Sequence, residues 1–358
     1  MNFFAQTRNE IKNNLKSLGF AESHCRSVLS SLYRPERLQR SLDRSFLPNA
    51  LLALLAAEEE NYLTIALTKQ SVDDQSIKIL YRLTDGQKIE SVLMPERGRL
   101  TLCISSQVGC QRACSFCDTG RMGLTRNLTV FELISQVHSA NRFLLSQPEW
   151  LKSCSLSPDS KITNIVFMGM GEPMDNLANI EKSLEIFTDP WAFNLAPRKI
   201  TVSTAGHLEG IVAFCAKNPN VGIALSLHAA DDKKRSKIMP INKEYPLEKV
   251  ISYLGEYARK ANKKILIQYT LIEGLNDSFE DAVKLKEVLS LLPAKVNIIP
   301  FNSFERSRFQ RPSAEQIRLF SQVLLKAKIP TMIRHSKGQD IAAACGQLAL
   351  IAHKENIN

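Results

Sequence analysis

Thr101-Leu-Cys-Ile-Ser-Ser-Gln-Val-Gly-Cys110-Gln-Arg-Ala-Cys114-Ser-Phe-Cys117 begins with a short apolar segment and ends with three closely spaced cysteines. From here almost to the end of the chain, short β-branched segments alternate with helical segments of about a dozen residues. The predicted strands are 101–106, 162–168, 199–204, 221–227, 264–271 and 295–300, and the predicted helices are 129–144, 176–188, 206–217, 246–261, 278–291 and 313–327. Six such units predict an α/β fold with a parallel sheet, either open and doubly wound or curled into a partial barrel.

In both architectures, functional side chains collect where the strands end. This sequence places unusual residues at those positions. They are Gly171 and Glu172 after the second strand, Ser203 at the end of the third, Ser226, Leu227 and His228 at the end of the fourth, and Asn302 after the sixth. We therefore expect a binding site at this edge of the sheet.

The chain before this repeat has a different pattern. Apolar residues keep a helical period at Ile11, Leu15 and Leu18 and again over 46–57. Segments 76–84 and 88–94 alternate around Asp85-Gly86, which predicts a β-hairpin. The predicted domains are a helical N-terminal domain over 1–65, a β-hairpin extension over 66–98, the α/β core over 99–350 and a C-terminal tail over 351–358.

The composition is that of an ordinary globular protein, with 358 residues, 44% hydrophobic and 23% charged. No apolar run approaches the roughly 18 residues of a membrane span, and no secretory signal is recognisable. We therefore expect a soluble, cytoplasmic protein that does not enter a membrane. Its eight cysteines should then be reduced thiols, metal ligands or catalytic groups. The net charge of +10 favours a polyanionic partner such as a nucleic acid.

Cys110, Cys114 and Cys117 have the spacing C-x3-C-x2-C. Structural zinc sites usually take four ligands in two pairs, and no fourth Cys or His follows at such a spacing. A [4Fe–4S] cluster tolerates three protein ligands, because its fourth iron then binds substrate. The spacing therefore favours a cluster. A structural zinc in a non-catalytic RNA-binding protein and three inert thiols are the alternatives.

The cysteine spacing resembles that of the radical S-adenosylmethionine (SAM) enzymes, and other motifs are similar to the RlmN/Cfr group of RNA methyltransferases within them. The motifs are Cys103-Ile-Ser-Ser-Gln-Val-Gly-Cys110, Phe167-Met-Gly-Met-Gly-Glu-Pro173, Met239-Pro-Ile-Asn242 and Asp340-Ile-Ala-Ala-Ala-Cys345-Gly-Gln-Leu348. The resemblance covers roughly 76–348. It implies a partial (β/α)6 barrel radical SAM core, with the small helical N-terminal domain serving as an RNA-binding accessory domain.

The resemblance also implies the chemistry, a methyl transfer to C2 of adenine 2503 in 23S rRNA and of adenine 37 in some tRNAs. One [4Fe–4S] cluster per chain would be held by Cys110, Cys114 and Cys117, and two SAM molecules would be used per turnover. Cys345 would carry the methyl group as S-methylcysteine, Cys103 would resolve the protein–RNA adduct by forming a disulfide, and Glu90 would accept the ring proton. Gly171, Glu172, Ser203, Ser226, Leu227, His228 and Asn302 would contact SAM. The enzyme would be a monomer supplied by an external electron donor such as flavodoxin.

Taken alone, several of these residues have simpler interpretations. Cys103 and Cys345 would be small buried apolar residues, Glu90 a solvent-facing strand carboxylate, and His228 a hydrogen-bonded core histidine. A radical SAM activase that acts on another protein is a third function, and it would not explain Cys345.

Two positions bear on specificity. Pro173 favours the RlmN type over the alternative, Cfr-type methylation at C8 of the same adenine, while Asp118 fits neither type. Arginines and aromatic residues are the expected RNA contacts: Arg121, Arg126, Phe304, Arg306, Arg308, Phe309 and Arg311.

Overall fold

The structure, a computed structural model, describes residues 3–34, 47–59, 63–303 and 307–348. Its strands are β1 (Thr64–Gln70), β2 (Ile77–Arg82), β3 (Lys88–Glu96), β4 (Arg99–Ile104), β5 (Gln107–Cys110), β6 (Gly123–Asn127), β7 (Asn164–Phe167), β8 (Ile200–Thr204), β9 (Gly222–Ser226), β10 (Ile265–Leu271), β11 (Ala294–Pro300) and β12 (Thr331–Ile333). Its helices are α1 (Arg8–Ser17), α2 (Cys25–Tyr33), α3 (Asn49–Glu59), α4 (Asp118–Arg121), α5 (Val130–Leu145), α6 (Pro148–Ser153), α7 (Leu177–Thr188), α8 (Leu208–Lys217), α9 (Asp232–Ile238), α10 (Leu247–Lys260), α11 (Phe279–Leu289) and α12 (Ala314–Lys326).

The predicted α/β core is confirmed. Strands β4, β7, β8, β9, β10 and β11 pair in parallel in chain order, and β12 pairs in parallel with β11. In the described part of the chain, β1 and β12 form the two edges of this ten-stranded sheet, so the barrel is partial. The capping box of Thr129 and Glu132 begins α5 one residue after the predicted start.

The predicted hairpin is formed by β2 and β3, and it continues the sheet of the core because β3 pairs antiparallel with β4. The sequence pattern missed β1, which pairs antiparallel with β2. Six of the seven residues of β1 are exposed, so it carries no alternation of apolar and polar residues for periodicity to detect.

The N-terminal helices pack against the outside of the core. Ile11 and Leu15 of α1 are fully buried, whereas Leu18 is 39% exposed, so the apolar face of this helix ends one turn earlier than its sequence period suggests. Arg8 forms an ion pair of 2.8 Å with Asp189, which follows α7. The domain boundaries themselves stay a prediction, and the predicted tail over 351–358 lies outside the described residues.

The two faces of the N-terminal half of the sheet have different roles. On the outer face, Ser91 Oγ and the Ser105 N–H both donate to Gln136 Oε1 of α5, at 2.9 and 2.8 Å. On the inner face, strand register places one row of residues across four neighbouring strands: Lys78, Val92, Cys103 and Val166. The inner face therefore carries one of the predicted functional cysteines. No helix in the described ranges is both long enough and apolar enough to cross a membrane.

Strands β5 and β6 form a separate antiparallel hairpin that carries the cysteine loop. Gly109 lies in this hairpin at a φ of +76°, and a Cβ at this position would lie 1.9 Å from the carbonyl oxygen of Gly123. Only glycine allows this close approach. The hairpin therefore depends on the absence of a side chain at residue 109.

We expect Gly109→Ala to lower the midpoint of thermal unfolding by several degrees more than Gly86→Ala. Gly86 has a similar φ of +82° with no atom within 4 Å of the added Cβ, so its substitution costs only the backbone strain, about 1–2 kcal/mol. Circular dichroism melting of both variants measures the difference. Equal shifts would show that the contact between β5 and β6 is not tight.

Candidate active site

The carboxyl ends of the parallel strands surround a cavity of about 140 Å³. Nine of the predicted functional residues line it: Cys110, Cys114, Cys117, Gly171, Glu172, Ser203, Ser226, His228 and Cys345. They come from distant parts of the sequence, and the parallel topology brings them together because all of these strands end at one edge.

Backbone contacts fix the loop that carries Cys110, Cys114 and Cys117. The Cys117 N–H donates to the Cys114 carbonyl at 3.1 Å, and the Ser115 N–H donates to the carbonyl at the end of α9 at 2.9 Å. Arg112 closes the loop from outside, because its Nε donates to Asp175 at 2.7 Å. The three thiols are therefore held on one wall of the cavity.

These thiols need a positive partner to ionise. Burial raises the pKa of Cys110 to about 12, and burial together with the neighbouring thiols raises the pKa of Cys114 well above its ordinary value. A bound metal supplies the missing positive charge and deprotonates a coordinating thiol. The donor set therefore fits a metal centre.

The spacing of the thiols bears on which metal centre fits. A tetrahedral zinc with bonds of about 2.3 Å needs all its sulfurs around one point. Among the described residues, no group of three or more Cys, His, Asp or Glu side chains is arranged to hold a single metal ion. A [4Fe–4S] cluster accepts three cysteine ligands and keeps its fourth iron open for a substrate. The three thiols on the cavity wall supply that number of ligands.

Glu172 is buried, and its carboxylate links the ends of β7 and β8. Its oxygens accept hydrogen bonds from the Ala205 N–H at 2.7 Å and the Met174 N–H at 3.1 Å. Burial raises the pKa of Glu172 to about 7, against the lowering effect of these hydrogen bonds. Each carboxylate oxygen has a second lone pair, so Glu172 can also accept from a ligand in the cavity.

Gly171 has a φ of +102°, and a Cβ there would lie 2.6 Å from the side chain of Gln107. Packing against Gln107 at the start of β5 therefore requires glycine at this position. The absence of a side chain also lets a ligand approach the backbone.

Ser203, Ser226 and His228 also line the cavity, and the His228 ring packs edge-on against Phe116 of the cysteine loop with centroids 4.7 Å apart. The two serine hydroxyls lie 3.2 Å apart. His228 Nδ1 accepts from the Thr270 N–H at 2.9 Å, and burial together with the nearby Arg235 lowers the pKa of His228 to about 3. The histidine is therefore neutral, and it combines a hydrogen-bonded core position with a place on the cavity wall.

Two predicted SAM contacts do not line this cavity. Leu227 is fully buried, and its N–H donates to the Gln268 carbonyl at 3.0 Å. Asn302 Nδ2 donates to Ser336 Oγ at 2.6 Å, so it ties the end of β11 to the C-terminal loop. Their assignment to SAM stays a prediction.

A second, smaller cavity adjoins the first. Cys103 and Cys345 both line it, and Cys345, Met168 and Ile299 line both cavities. Cys103 is buried, which raises its pKa to about 12 with a further contribution from Cys345, whereas Cys345 is exposed. Cys103 and Cys345 therefore line the same cavity, although they are far apart in sequence.

Glu90 lies on the inner face of β3 and is completely buried, so the interpretation as a solvent-facing carboxylate is wrong. Its Oε1 lies 3.2 Å from Nζ of Lys78, which is 1% exposed. Lys78 Nζ also donates to the Ala342 carbonyl at 2.8 Å. The sequence analysis did not single out Lys78, although the two opposite charges on facing strands of the hairpin were a usable signal.

The loop over 336–348, called here the Cys345 loop, is held by several segments. The Asp118 N–H donates to the Gly346 carbonyl at 2.7 Å, and the Gly338 N–H donates to Asp74 Oδ2 at 2.8 Å. Asp118, which fits neither type of the family pattern, therefore uses its backbone to join the Cys345 loop to the cysteine loop. Cys345 is consequently positioned between the two cavities.

The sequence pattern also missed Arg235, which is completely buried in α9. Its guanidinium donates to the carbonyls of Ala205 at 2.6 Å and Leu227 at 3.1 Å. It also donates to Asn242 of the Met239-Pro-Ile-Asn242 motif at 2.6 Å. This side chain therefore fixes the strand ends. The Met239-Pro-Ile-Asn242 motif was the signal available in the sequence, because its Asn242 is the partner of Arg235.

Two of the expected RNA contacts, Arg126 and Phe309, contact other residues of the protein. Arg126 is engaged within the protein, because it forms ion pairs with Asp85 at 2.8 Å and Glu132 at 2.7 Å. Phe309 packs edge-on against Phe301 with ring centroids 6.0 Å apart. Phe304 and Arg306 lie outside the described residues.

Comparisons with known proteins agree with this site. The profile of the Radical SAM superfamily matches residues 104–285. The chain is 39% identical over 360 residues to the dual-specificity RNA methyltransferase RlmN of Desulfotalea psychrophila, covering 96% of each chain. It is 43% identical over 275 residues to RlmN of Geotalea uraniireducens, covering 77% of this chain and 75% of the relative.

A solved structure agrees over nearly the whole chain. The crystal structure of a radical SAM methyltransferase from Sphaerobacter thermophilus matches with a TM-score of 0.87 at 38% identity, covering 98% of this chain and 99% of that one. The superfamily implies SAM and a [4Fe–4S] cluster, and the cavity presents the three cysteines that such a cluster needs. The chain belongs to the RlmN family of radical SAM RNA methyltransferases.

Proposed function

We propose that this enzyme methylates C2 of adenine 2503 in 23S rRNA, with adenine 37 of some tRNAs as a second substrate. The observation that carries the proposal is the position of Cys345, which lines both the cavity of the three cysteines and the cavity of Cys103. One thiol can therefore receive a methyl group on one side and be attacked by Cys103 on the other. The relatives' name, dual-specificity, supports the two kinds of RNA.

The chain's own residues have distinct tasks in this proposal. Cys110, Cys114 and Cys117 hold the cluster, which when bound supplies the electron for cleaving SAM. Gly171, Glu172, Ser203, Ser226 and His228 bind and orient SAM. Burial of this cavity keeps water away from the reactive species.

The remaining steps involve Cys345 and Cys103 of the second cavity and Glu90 beside it on β3. Cys345 carries the methyl group as S-methylcysteine. A hydrogen atom leaves this methyl group to the 5′-deoxyadenosyl fragment of a second SAM, and the methylene carbon bonds to C2 of the adenine. Glu90 takes the proton from C2 of the ring, and the one electron in excess would return to the cluster. The Cys103 thiol then loses its proton and bonds to the sulfur of Cys345, the bond between that sulfur and the methylene carbon breaks, and the electron pair left on this carbon takes up a proton to give the methyl group. An external reductant regenerates the two thiols.

Pro173 supports C2 over C8 only through the family pattern. In the structure it begins a short 3₁₀ turn, Pro173–Asn176, for which Glu172 provides the N-cap. Proline is favoured at this position because its φ is already suitable. The position of the methyl group in the product therefore distinguishes C2 from C8 specificity.

We expect anaerobically reconstituted enzyme with SAM, a reductant and unmodified 23S rRNA to yield 2-methyladenosine. The Cys345→Ala variant should yield none, because the methyl carrier is absent. Nuclease digestion followed by liquid chromatography and mass spectrometry against 2-methyl and 8-methyl standards measures both. An 8-methyl product would assign the Cfr type, and no methylated product with an intact cluster would contradict the proposal.

We expect Cys103→Ala to accumulate a covalent protein–RNA species, because the resolving thiol is missing. Cys215→Ala is the matched control, since Cys215 is also buried but lies on α8, outside both cavities. Denaturing gel electrophoresis with labelled RNA measures the species. Equal behaviour of the two variants would remove Cys103 from the proposed mechanism.

We expect SAM to bind the wild type about tenfold more tightly at pH 8 than at pH 6. This factor is counted after any pH dependence that remains in Glu172→Gln has been subtracted. The pKa of Glu172 is raised to about 7 by burial, so its carboxyl is neutral below that pH and ionised above it. Only the ionised form attracts the amino group of SAM. Equilibrium binding to cluster-loaded protein measures the effect, and identical pH dependence in the variant would exclude Glu172.

A further inference from the structure

Lys78 is a buried cation beside the second cavity, because it pairs in register with Val92, which lines that cavity. Its Nζ lies 3.2 Å from Glu90 Oε1 and 2.8 Å from the Ala342 carbonyl oxygen. The side chains of Lys78 and Glu90 are 1% and 0% exposed. One ammonium group therefore contacts both the predicted proton acceptor and the loop that carries the methyl-carrying cysteine.

An ion pair at this depth is not explained by stability. Removing a lysine and a glutamate from water is costly, and apolar residues of similar size are often as stable in such positions. The neighbouring residues Leu80 and Val92 are indeed apolar and buried. The pair therefore suggests a functional requirement for charge at this point of the inner face.

The position of Lys78 relative to the sulfurs supports this requirement. Lys78 pairs in register with Val92, and Val92 pairs with Cys103, so Lys78 lies two strands from Cys103, a distance of about 10 Å between the Cα atoms. Ala342, whose carbonyl accepts from Lys78, has a φ of +52° and precedes Cys345 by three residues. A non-glycine residue adopts this left-handed conformation only where its surroundings hold it.

The charge balance around the pair is also favourable to an ionised Glu90. Burial lowers the pKa of Lys78, and the carboxylate of Glu90 raises it again. The other ionisable groups near the pair are Lys69 on β1, which is exposed and therefore screened by solvent, and Cys103, Arg334, Lys337 and Cys345, which line the second cavity. Of the groups that line the cavity, Arg334 and Lys337 are cations, so they also favour the negative charge on Glu90.

We propose that Lys78 is a positioning residue that keeps Glu90 ionised for removal of the ring proton and fixes the backbone of the Cys345 loop at Ala342. In the step concerned, the proton on C2 of the adenine passes to a carboxylate oxygen of Glu90, and the two electrons of that C–H bond stay with the ring. The inference rests on the proposed role of Glu90.

The test follows the covalent protein–RNA species in a single turnover, from about pH 6 to pH 9. We compare Lys78→Met, Lys78→Gln and Lys78→Arg with Glu90→Gln. The control is Lys69→Met, because Lys69 is an exposed lysine paired in register with Lys78. Mass spectrometry of the Cys345 peptide measures S-methylation, the earlier step, which does not involve Glu90.

Without the ammonium group, the buried carboxylate of Glu90 favours its protonated form and cannot accept the ring proton. We therefore expect the covalent species in Lys78→Met and Lys78→Gln to decay at least tenfold more slowly at pH 7. The decay should recover as the pH rises, because the carboxyl then ionises. Lys78→Arg should restore most of the rate, and Lys69→Met and the S-methylation of Cys345 should be unchanged.

Lys78→Gln decides the question if Lys78→Met does not fold, since glutamine can still donate to both oxygen acceptors without a charge. Decay within twofold of the wild type over the whole pH range would overturn the inference. An equal loss of S-methylation and decay with an unchanged pH profile would also overturn it, because Lys78 would then be merely structural. Normal decay in Glu90→Gln would instead overturn the proposed role of Glu90.

Discussion

The anchoring of the Cys345 loop is the constraint on which the rest of the site depends. The loop over 336–348 crosses the end of the barrel and is hydrogen-bonded to the turn after β1, to Lys78 on β2, to the start of α4 and to the end of β11. Each segment contributes one or two hydrogen bonds, and none of them alone would position a thiol. Together they place Cys345 on the boundary between two cavities, and without that placement the three clustered cysteines and Cys103 would belong to separate sites.

Burial determines the electrostatics on both sides of this boundary. The cysteines of the first cavity lie in surroundings that disfavour thiolates, so they fit a positively charged metal centre. Beside the second cavity, on the inner face of β3, the carboxylate of Glu90 is equally buried, and a lysine supplies the positive charge. Buried negative charge would therefore be offset in two ways, by the proposed cluster at the three cysteines and by a side chain at Glu90.

The sequence predicted the fold well wherever apolar periodicity was strong. The six core strands and the six predicted helices were found, because these strands are mostly buried and these helices have an apolar face, whereas the short helices α4, α6 and α9 were not predicted. The exposed strand β1 was missed, because it has no such pattern. The residues of the first cavity were found from their positions at strand ends and from the family resemblance, and the parallel topology explains why they meet.

The parts of the site that sequence could not supply are those made by long-range contacts. The link between Asp118 and Gly346 uses backbone atoms, which leave no trace in residue type. Lys78 was overlooked because a single charged residue in an apolar segment normally faces solvent, and Arg235 because it lies in the highly charged segment 231–237. Their burial became visible only when the strand register and the carbonyl groups around them were known.

The division of the site into two cavities explains why the chain needs an N-terminal extension of the barrel. The parallel strands end at the first cavity, where the cluster and SAM are expected, and no acidic residue lines the second cavity. Strands β2 and β3 continue the sheet antiparallel to β4 and so extend its inner face beyond the core. That extra surface carries Lys78 and Glu90. A barrel without the extension would keep the cysteines of the first cavity but would lack the group proposed to take the proton from the ring.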